Sequence, residues 1–455
     1  MSIMDFSGKH FLVIGAGISG RAASLALAGH GGSVTLNDMK AIDTAEQPWP
    51  DIKAAGVQLV FGSQETALLD GMDVVVPSPV ISPEIPIMKE AARRGLPIWS
   101  EVEVACRVTD ADMIGITGTN GKTTTTTLVG EIMKATGRQT VVGGNIGYGL
   151  SAQADNLPKE AVVVAELSSF QLEFTHSIKA KAATILNITP DHLDRHHTME
   201  GYAAAKKRIF LNQDKGDYAV LNYDDERVRA MAKDMTGTVV YFSTCGEVPE
   251  GAFYQDGQLI LRLHGQDTVV CAETDLHLFG KHNIQNCLAA ILLTYAAGAP
   301  LDVIRQVLKD FKGVEHRLEK VRTIHGVTYY NDSKGTNVDA SMKALEAFPQ
   351  GHLILIAGGY DKKTPLDDFM ALAAKRVDTL ILIGDAAERF EAAAKKAGIQ
   401  DIRRTGYSME GAIMLARKIA KAPQAVLLSP ACSSFDMYDN FEQRGRVFKG
   451  IVNAI

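Results

Sequence analysis

At 455 residues the chain is too long for one ordinary domain, so two or three are expected. Hydrophobic residues at 46% suffice for a core in each, and a net charge of −6 without a basic block argues against nucleic acid or an anionic membrane as the main partner. The five cysteines are scattered and include no CxxC pair, which suits a reducing cytoplasm. The longest apolar helical stretch, Leu288–Ala297, is too short to span a bilayer, and Asp5 and a glycine loop stand where a signal peptide would need its apolar segment.

In chain order, His10–Ile14 is a short apolar strand. Gly15-Ala16-Gly17-Ile18-Ser19-Gly20 and a small-residue helix follow, and a second strand, Ser33–Leu36, ends at Asn37 and Asp38. This GxGxxG pattern in a strand–loop–helix, with an acid after the next strand, fits a dinucleotide. Its physics is broader, since a pyrophosphate at a helix N-terminus and a carboxylate near a sugar hydroxyl serve any nucleotide diphosphate. Further strands are expected at Gln58–Phe61, Asp73–Val76 and Pro97–Trp99, with the sheet closing near Glu101–Ala105.

The next stretch, Ile114-Gly115-Ile116-Thr117-Gly118-Thr119-Asn120-Gly121-Lys122-Thr123, is an apolar strand running into a glycine loop and a Thr-rich helix. Gly118 and Gly121 let backbone N–H groups curl toward an anion, Lys122 adds charge, and Thr123 offers a hydroxyl to a phosphate-bound metal. The spacing departs from the usual phosphate loop, because Gly115 comes one place early and Ile116 stands where the first glycine is expected. A plain glycine turn is the bland alternative, but Gly-Lys-Thr in this setting points to a nucleoside triphosphate. Apolar strands at Met113–Thr117, Thr140–Val142, Ala161–Ala165, Ala183–Ile188 and Tyr218–Leu221, with helices between, predict a parallel doubly wound sheet. Asn145, Glu166 and the Asn187–His192 run each follow one of these strands, where such sheets form their ligand crevice. Glu166 reads as a Mg²⁺-side carboxylate, or else as a charge near a helix start. The His-rich Asp191–His197 segment matches no standard zinc spacing, and only His192 is retained as an active-site residue. Gln258–Leu263 and Asp267–Cys271 form an expected hairpin, and His282–Ala297 a helix.

Phe311–Leu318 reads as a linker into a third α/β region with strands at Val327–Tyr330, His352–Ala357, Thr379–Ile383 and Ala425–Leu428. Polar clusters again follow strands: Asn331–Asn337, Gly358–Lys363 and Ser429–Phe435. Arg317, Lys334 and Lys362 could be surface charges, but their places at a domain joint or after strands raise them. Three strand-end edges suggest substrates meeting in a cleft.

With these segments in view, and above all Ser429-Pro-Ala-Cys-Ser-Ser-Phe-Asp-Met-Tyr-Asp-Asn-Phe-Glu-Gln-Arg-Gly445, the chain resembles the cytoplasmic Mur ligase family of cell-wall peptide ligases over its whole length. The Gly-Thr-Asn-Gly-Lys-Thr loop of that family accounts for the unusual spacing. The resemblance implies three α/β domains at residues 1–102, 103–313 and 314–455. These are a Rossmann-like domain for a uridine diphosphate substrate, a central P-loop ATPase-like parallel sheet, and a Rossmann-like C-terminal domain that binds the amino acid and closes on ATP. It implies ATP-dependent addition of D-glutamate to a UDP-N-acetylmuramoyl-L-alanine substrate through an acyl phosphate, by a cytoplasmic chain expected to be a monomer. Carried over by residue, Gly118, Thr119, Asn120, Gly121, Lys122, Thr123 and Thr124, with Asn286, Arg317, Asp332 and Lys334, contact ATP. Thr123 and Glu166 hold a first Mg²⁺ and His192 lies beside a second. Gly15, Ile18, Ser19, Asp38, Lys40 and Asn145 face the UDP substrate, and Lys362, Ser434 and Phe441 hold D-glutamate. On the helix expected at Gly201–Leu211, Tyr202, Lys206, Ile209 and Phe210 share one face. A snorkelling stem is the bland alternative for Lys206, but the resemblance implies a carbamylated Lys206 supporting the second Mg²⁺. An NAD-dependent oxidoreductase, a UDP-sugar-binding regulator and a related ligase adding another amino acid are the competing readings.

Overall fold

Continuous apolar runs along short strands set the architecture, because the central parallel strands bury both of their faces. The computed structural model describes residues 4–45, 48–278 and 280–455. Its first sheet holds β1 (His10–Ile14), β2 (Ser33–Asp38), β3 (Gln58–Phe61) and β4 (Val74–Pro77) in the order β3-β2-β1-β4, all parallel. Phe11 and Val13 pack with Ala23 and Leu27 of helix Ile18–Gly29, while Leu12 and Ile14 pack on the other face with Ile87 and Met88 of helix Pro86–Arg93. The strand expected at Pro97–Trp99 does not form. Its pairing is reduced to a single bridge between Val75 and Ile98, and Pro97 has no N–H with which to extend a ladder. The segment expected to close the sheet is instead a helix, Glu101–Arg107, whose N-cap Ser100 accepts from Glu103 N at 3.0 Å.

The second sheet comprises β5 (Asp112–Thr117), β6 (Thr140–Gly144), β7 (Val162–Glu166), β8 (Ala180–Ile185), β9 (Tyr218–Asn222), β10 (Thr238–Ser243), β11 (Gly251–Gln255), β12 (Gln258–Leu263) and β13 (Gln266–Ala272). Their order is β13-β12-β11-β10-β9-β8-β5-β7-β6, parallel from β11 to β6 and antiparallel at β11-β12 and β12-β13. Sequence reading finds the β12-β13 hairpin but misses β10 and β11, which splice it onto the parallel sheet. β11 opens on Gly251, which reads as a turn residue. Its φ of 138° and its close approach to the Tyr241 backbone show a glycine required inside a strand pairing.

The third sheet comprises β14 (Glu319–Ile324), β15 (Val327–Asn331), β16 (Leu353–Gly358), β17 (Val377–Ile383), β18 (Ile402–Arg404) and β19 (Ala425–Leu428), in the order β14-β15-β19-β16-β17-β18. Only β14-β15 is antiparallel. Leu353, Leu355 and Ala357 feed one apolar layer, and Ile354 and Ile356 the other. β14 escapes a hydrophobic reading because Glu319, Lys320 and Arg322 stud it, as suits an edge strand.

The chain divides into two compact units, Met1–Leu276 with His282–Phe311, and His277–Lys281 with Lys312–Ile455. The first and second sheets therefore share one unit and the third sheet forms the other. We retain residues 1–102, 103–313 and 314–455 as proposed domain bounds, one sheet to each. No helix of the described residues is long and apolar enough to cross a membrane.

Candidate active site

The phosphate loop joins β5 to helix Lys122–Ala135 through Gly118 (φ 152°) and Gly121 (φ 85°), both in backbone regions that favour glycine. Asn187, just beyond β8, braces it: Thr119 N donates to Asn187 O at 2.9 Å and Asn120 N to Asn187 Oδ1 at 2.8 Å. Lys122 Nζ donates to the Gly118 and Thr119 carbonyls, both at 2.9 Å. Lys206, on helix Met199–Lys207, reaches the same Gly118 carbonyl at 2.9 Å, is 1% exposed, and lies 4.6 Å from the Tyr202 ring centroid. Burial, and then the charge of Lys122, hold the Lys206 amine well below the ordinary lysine range, against an opposite pull from Asp191 and Glu166. Two amines sharing one carbonyl in a desolvated site cannot both hold a proton cheaply.

Glu166 ends β7 and is 1% exposed. Asn145 Nδ2 donates to its Oε1 at 2.8 Å, while Oε2 is buried and accepts no hydrogen bond from the described residues. A buried carboxylate oxygen without a donor is costly. Beside a phosphate loop, an oxygen of this kind suits a hard divalent cation. Asn286 reaches the loop from helix Lys281–Ala296, and Thr125 Oγ1 donates to its Oδ1 at 3.3 Å. Thr124 is buried in the first turn of the loop helix. The edge thus gathers Gly118–Thr124, Asn145, Glu166, Lys206 and Asn286.

His192 lies at the exposed side of that cluster, its ring 6.4 Å from that of Tyr202, whose hydroxyl is 3.2 Å from Thr119 Oγ1. Its side chain is 47% exposed, its φ is 51°, and its ring packs 4.7 Å from that of Phe170. His196 is the more enclosed histidine: it contacts Ser169 Oγ at 2.9 Å and lies 5.4 Å from the Tyr202 ring, and burial lowers its pKa. In the first sheet, Asp38 Oδ2 accepts from Ala16 N at 2.8 Å, which locks the Gly15–Ser19 loop to the end of β2. A Cβ at Gly15 would meet Ser78 Oγ at 2.7 Å. Ile18 and Lys40 are exposed beside this loop and Ser19 is half-buried.

In the second unit, Asp332 follows β15 and is buried. Its carboxylate accepts from Ser429 Oγ at 2.7 Å and from Leu318 N at 3.2 Å, and burial raises its pKa to about 6. Lys334 N donates to His316 O at 3.0 Å, next to Arg317, and Lys334 Nζ lies 5.6 Å from the Phe441 ring. Ser434 is buried. Lys362 is exposed and donates to Thr336 O at 3.1 Å. Sequence reading passed over Arg444, which is 1% exposed and donates to Ser333 O, Ser333 Oγ and Cys432 O. With Phe441 and Phe448 it forms an i, i+3, i+7 stripe, the same signal that singles out Lys206. Asn187 and Tyr202 carry a positional signal, a strand end and a helical face, but their partners Thr119 and Asn120 are too distant in sequence for that signal to name them.

Residues 116–294 match the Mur ligase middle domain and residues 316–432 the Mur ligase glutamate ligase domain. The chain is 46% identical over 453 residues to a UDP-N-acetylmuramoylalanine–D-glutamate ligase of Desulfitobacterium hafniense, covering 99% of this chain and 98% of that one. It is 43% identical to the enzyme of the same name from Pelotomaculum thermopropionicum, covering 100% and 99%. Among solved structures it is similar in fold to a pseudomurein peptide ligase type C from Methanothermus fervidus, at a TM-score of 0.60 and 21% identity over 98% of this chain and 100% of that one. The UDP-N-acetylmuramate–alanine ligase of Thermotoga maritima gives a TM-score of 0.59 at 18% identity over 98% and 99%. A phosphate loop of unusual spacing, backed by a buried lysine and a half-satisfied glutamate, and full-length relatives at these identities show that the chain belongs to the Mur ligases, in the family of the UDP-N-acetylmuramoylalanine–D-glutamate ligases.

Proposed function

We propose that this chain is an ATP-dependent ligase that joins D-glutamate to UDP-N-acetylmuramoyl-L-alanine in peptidoglycan precursor synthesis. One observation carries the reading. The loop Gly118–Thr124, the amines of Lys122 and Lys206 and the half-satisfied Glu166 meet at one strand-end edge, in a chain that matches ligases of that name along its length. A hydride-transfer enzyme would have no use for that edge.

The L-alanyl carboxylate attacks the γ-phosphorus of ATP, forming a C–O–P link as the bond to ADP breaks. The D-glutamate amine then attacks the acyl carbon, and the tetrahedral intermediate expels phosphate. Lys122 and the first N–H groups of helix Lys122–Ala135 neutralise charge on the transferring phosphoryl group. Thr123 and Glu166 would hold one Mg²⁺, and His192 and Lys206 would support a second; Mg²⁺ supplies further charge neutralisation when bound. Asn286, Arg317, Asp332 and Lys334 are assigned to the nucleotide. Gly15, Ile18, Ser19, Asp38, Lys40 and Asn145 are assigned to the UDP substrate, and Lys362, Ser434 and Phe441 to D-glutamate.

Lys206 is assigned as a carbamate. Its depressed pKa favours the free amine, the form that adds to carbon dioxide. The amine nitrogen bonds to the carbon of carbon dioxide as one C=O π bond opens onto its oxygen, one proton leaves the nitrogen for solvent, and a neutral amine becomes an anionic carbamate. ATP and UDP-linked precursors are cytoplasmic metabolites, which supports a cytoplasmic site of action. A phosphate-release assay across a panel of D- and L-amino acids tests the assignment. Release that requires ATP, UDP-N-acetylmuramoyl-L-alanine and D-glutamate together is expected, and release driven by another amino acid would reassign the chain within the family.

A further inference from the structure

The turn that carries His192 has little to hold its shape. Helix Leu193–His196 is a single turn, bounded by His192 at φ 51° and His197 at φ 64°. Left-handed backbone is unfavourable at a non-glycine residue, so contacts beyond the turn's own backbone must fix it. The side chain of Arg195, only 10% exposed, does so. Its Nε and Nη2 donate to Glu173 Oε2 at 3.0 and 2.8 Å. Its Nη1 donates to Pro79 O at 3.2 Å and to Ile81 O at 3.0 Å. Its guanidinium lies 4.5 Å from the centroid of Phe170, the ring on which His192 and His196 also pack.

The two ends of this grip have different jobs. Pro79 and Ile81 belong to the loop after β4, and Ser78 in that loop donates through Oγ to Gly15 O at 3.1 Å. Ile81 Cδ1 also backs the position that a Cβ at Gly15 would take. Glu173 and Phe170 lie on helix Ser169–Glu173, three to seven residues beyond Glu166, and Ser168 fixes its start by a reciprocal capping box with Gln171. One planar guanidinium therefore ties the loop behind Gly15 to both the His192 turn and the segment that continues from Glu166. Its forked donors make this possible where a lysine ammonium would not.

We infer that Arg195 is a positioning residue that couples seating of the UDP-linked substrate at the Gly15–Ser19 loop to the placement of the His192 turn at the phosphate site. The inference rests on the proposed assignment of that loop to the UDP substrate. Substrate bound at the loop stabilises the Ser78–Ile81 backing, and through Arg195 it stabilises one position of the turn. Coupling of this kind appears as mutual tightening of two ligands.

The test is calorimetric titration of the full chain with a β,γ-imido analogue of ATP and Mg²⁺, with and without UDP-N-acetylmuramoyl-L-alanine. Wild type is expected to bind the analogue about 5-fold or more tightly when the UDP substrate is present, within the usual range of coupling. Arg195→Ala and Arg195→Lys are expected to bring that ratio close to one, with a melting temperature near that of wild type and each ligand still binding alone. Steady-state turnover should fall in both variants, together with a raised KM for the UDP substrate. Should Arg195→Ala not fold, Arg195→Lys carries the test, with Glu173→Gln as the partner variant. A ratio unchanged in Arg195→Lys, or a wild-type ratio of one, overturns the inference. A chain that binds no UDP substrate at all overturns the assignment of the loop as well, which separates the two failures.

Discussion

Lys206 and Lys207 are neighbours with opposite surroundings. Lys207 makes a 2.7 Å surface pair with Asp234, the sort of interaction worth little. Lys206 is buried against Tyr202 and shares the Gly118 carbonyl with Lys122. An ammonium there repels both its neighbour and any metal on the phosphates, whereas a carbamate attracts them. Lys206→Ala is therefore expected to lower turnover on the order of a hundredfold or more, comparable to loss of a preorganised charge-stabilising group, with partial rescue by a small added carboxylic acid. Lys207→Ala should change turnover only mildly. Phosphate release measured in both variants checks this, and wild-type turnover in Lys206→Ala would remove the role. Helical spacing alone separates the two lysines, because 3.6 residues per turn place Lys206 under Tyr202 and rotate Lys207 away. Spacing does not show that Lys122 is the other claimant to the carbonyl.

At the scale of the element, the phosphate loop depends on Gly121 for two reasons. Gly121 has φ 85°, and a Cβ there would also run into Asn286 Oδ1 and approach Leu186 Cδ1 at 3.2 Å. Gly137, at the far end of the same helix, has φ 82° with nothing within 4 Å of its would-be Cβ. Alanine at Gly137 should cost only the conformational penalty, about 1–2 kcal/mol. Alanine at Gly121 should cost more, because Asn286 must move, and it should also weaken ATP binding. Denaturant unfolding of both variants gives the difference, and equal losses would mean that Asn286 does not press on the loop. The glycines were legible as a loop signal. The contact with Asn286, 165 positions along the chain, was not.

At the scale of the whole molecule, stability should track the proton on Asp332. Its unfolded value is near 3.8 and burial raises the folded value to about 6, so the folded state binds the proton more tightly. That contribution is complete below about 3.8 and is lost as pH rises through about 6, at about 1.4 kcal/mol per pH unit between the two values. Asp361 works in the opposite sense, because Arg389 holds its carboxylate below the ordinary range. Its contribution is lost only as pH falls below the unfolded value, outside the window of Asp332. Asp332→Asn keeps the shape and removes the charge. Its stability relative to wild type is expected to improve between pH 5 and pH 8, on the order of 1 kcal/mol, since only the last pH unit below the folded value falls in that interval. Melting curves at the two pH values check this, and a difference independent of pH would place the proton elsewhere.

Local order was readable along the chain because strand–loop–helix units are built from short-range rules. Apolar runs mark the parallel strands, glycine at fixed offsets marks the two phosphate-type loops, and a 3.6-residue period marks Lys206 and, had it been followed, Arg444. These rules act within about ten residues, so they carry the α/β class and most of the polar groups at strand ends. They fail where a neighbour overrides local preference. Gly251 sits in a strand because Tyr241 approaches it, the charged strand β14 needs only one paired edge, and Pro97 cannot continue a ladder that its apolar neighbours invite. Tertiary structure alone decided which atoms meet: Arg195 with the carbonyls of Pro79 and Ile81, Lys206 with that of Gly118, and Arg444 with that of Ser333. Periodicity states which face of an element is buried, whereas the partner of a buried charge is chosen by packing between elements far apart in sequence.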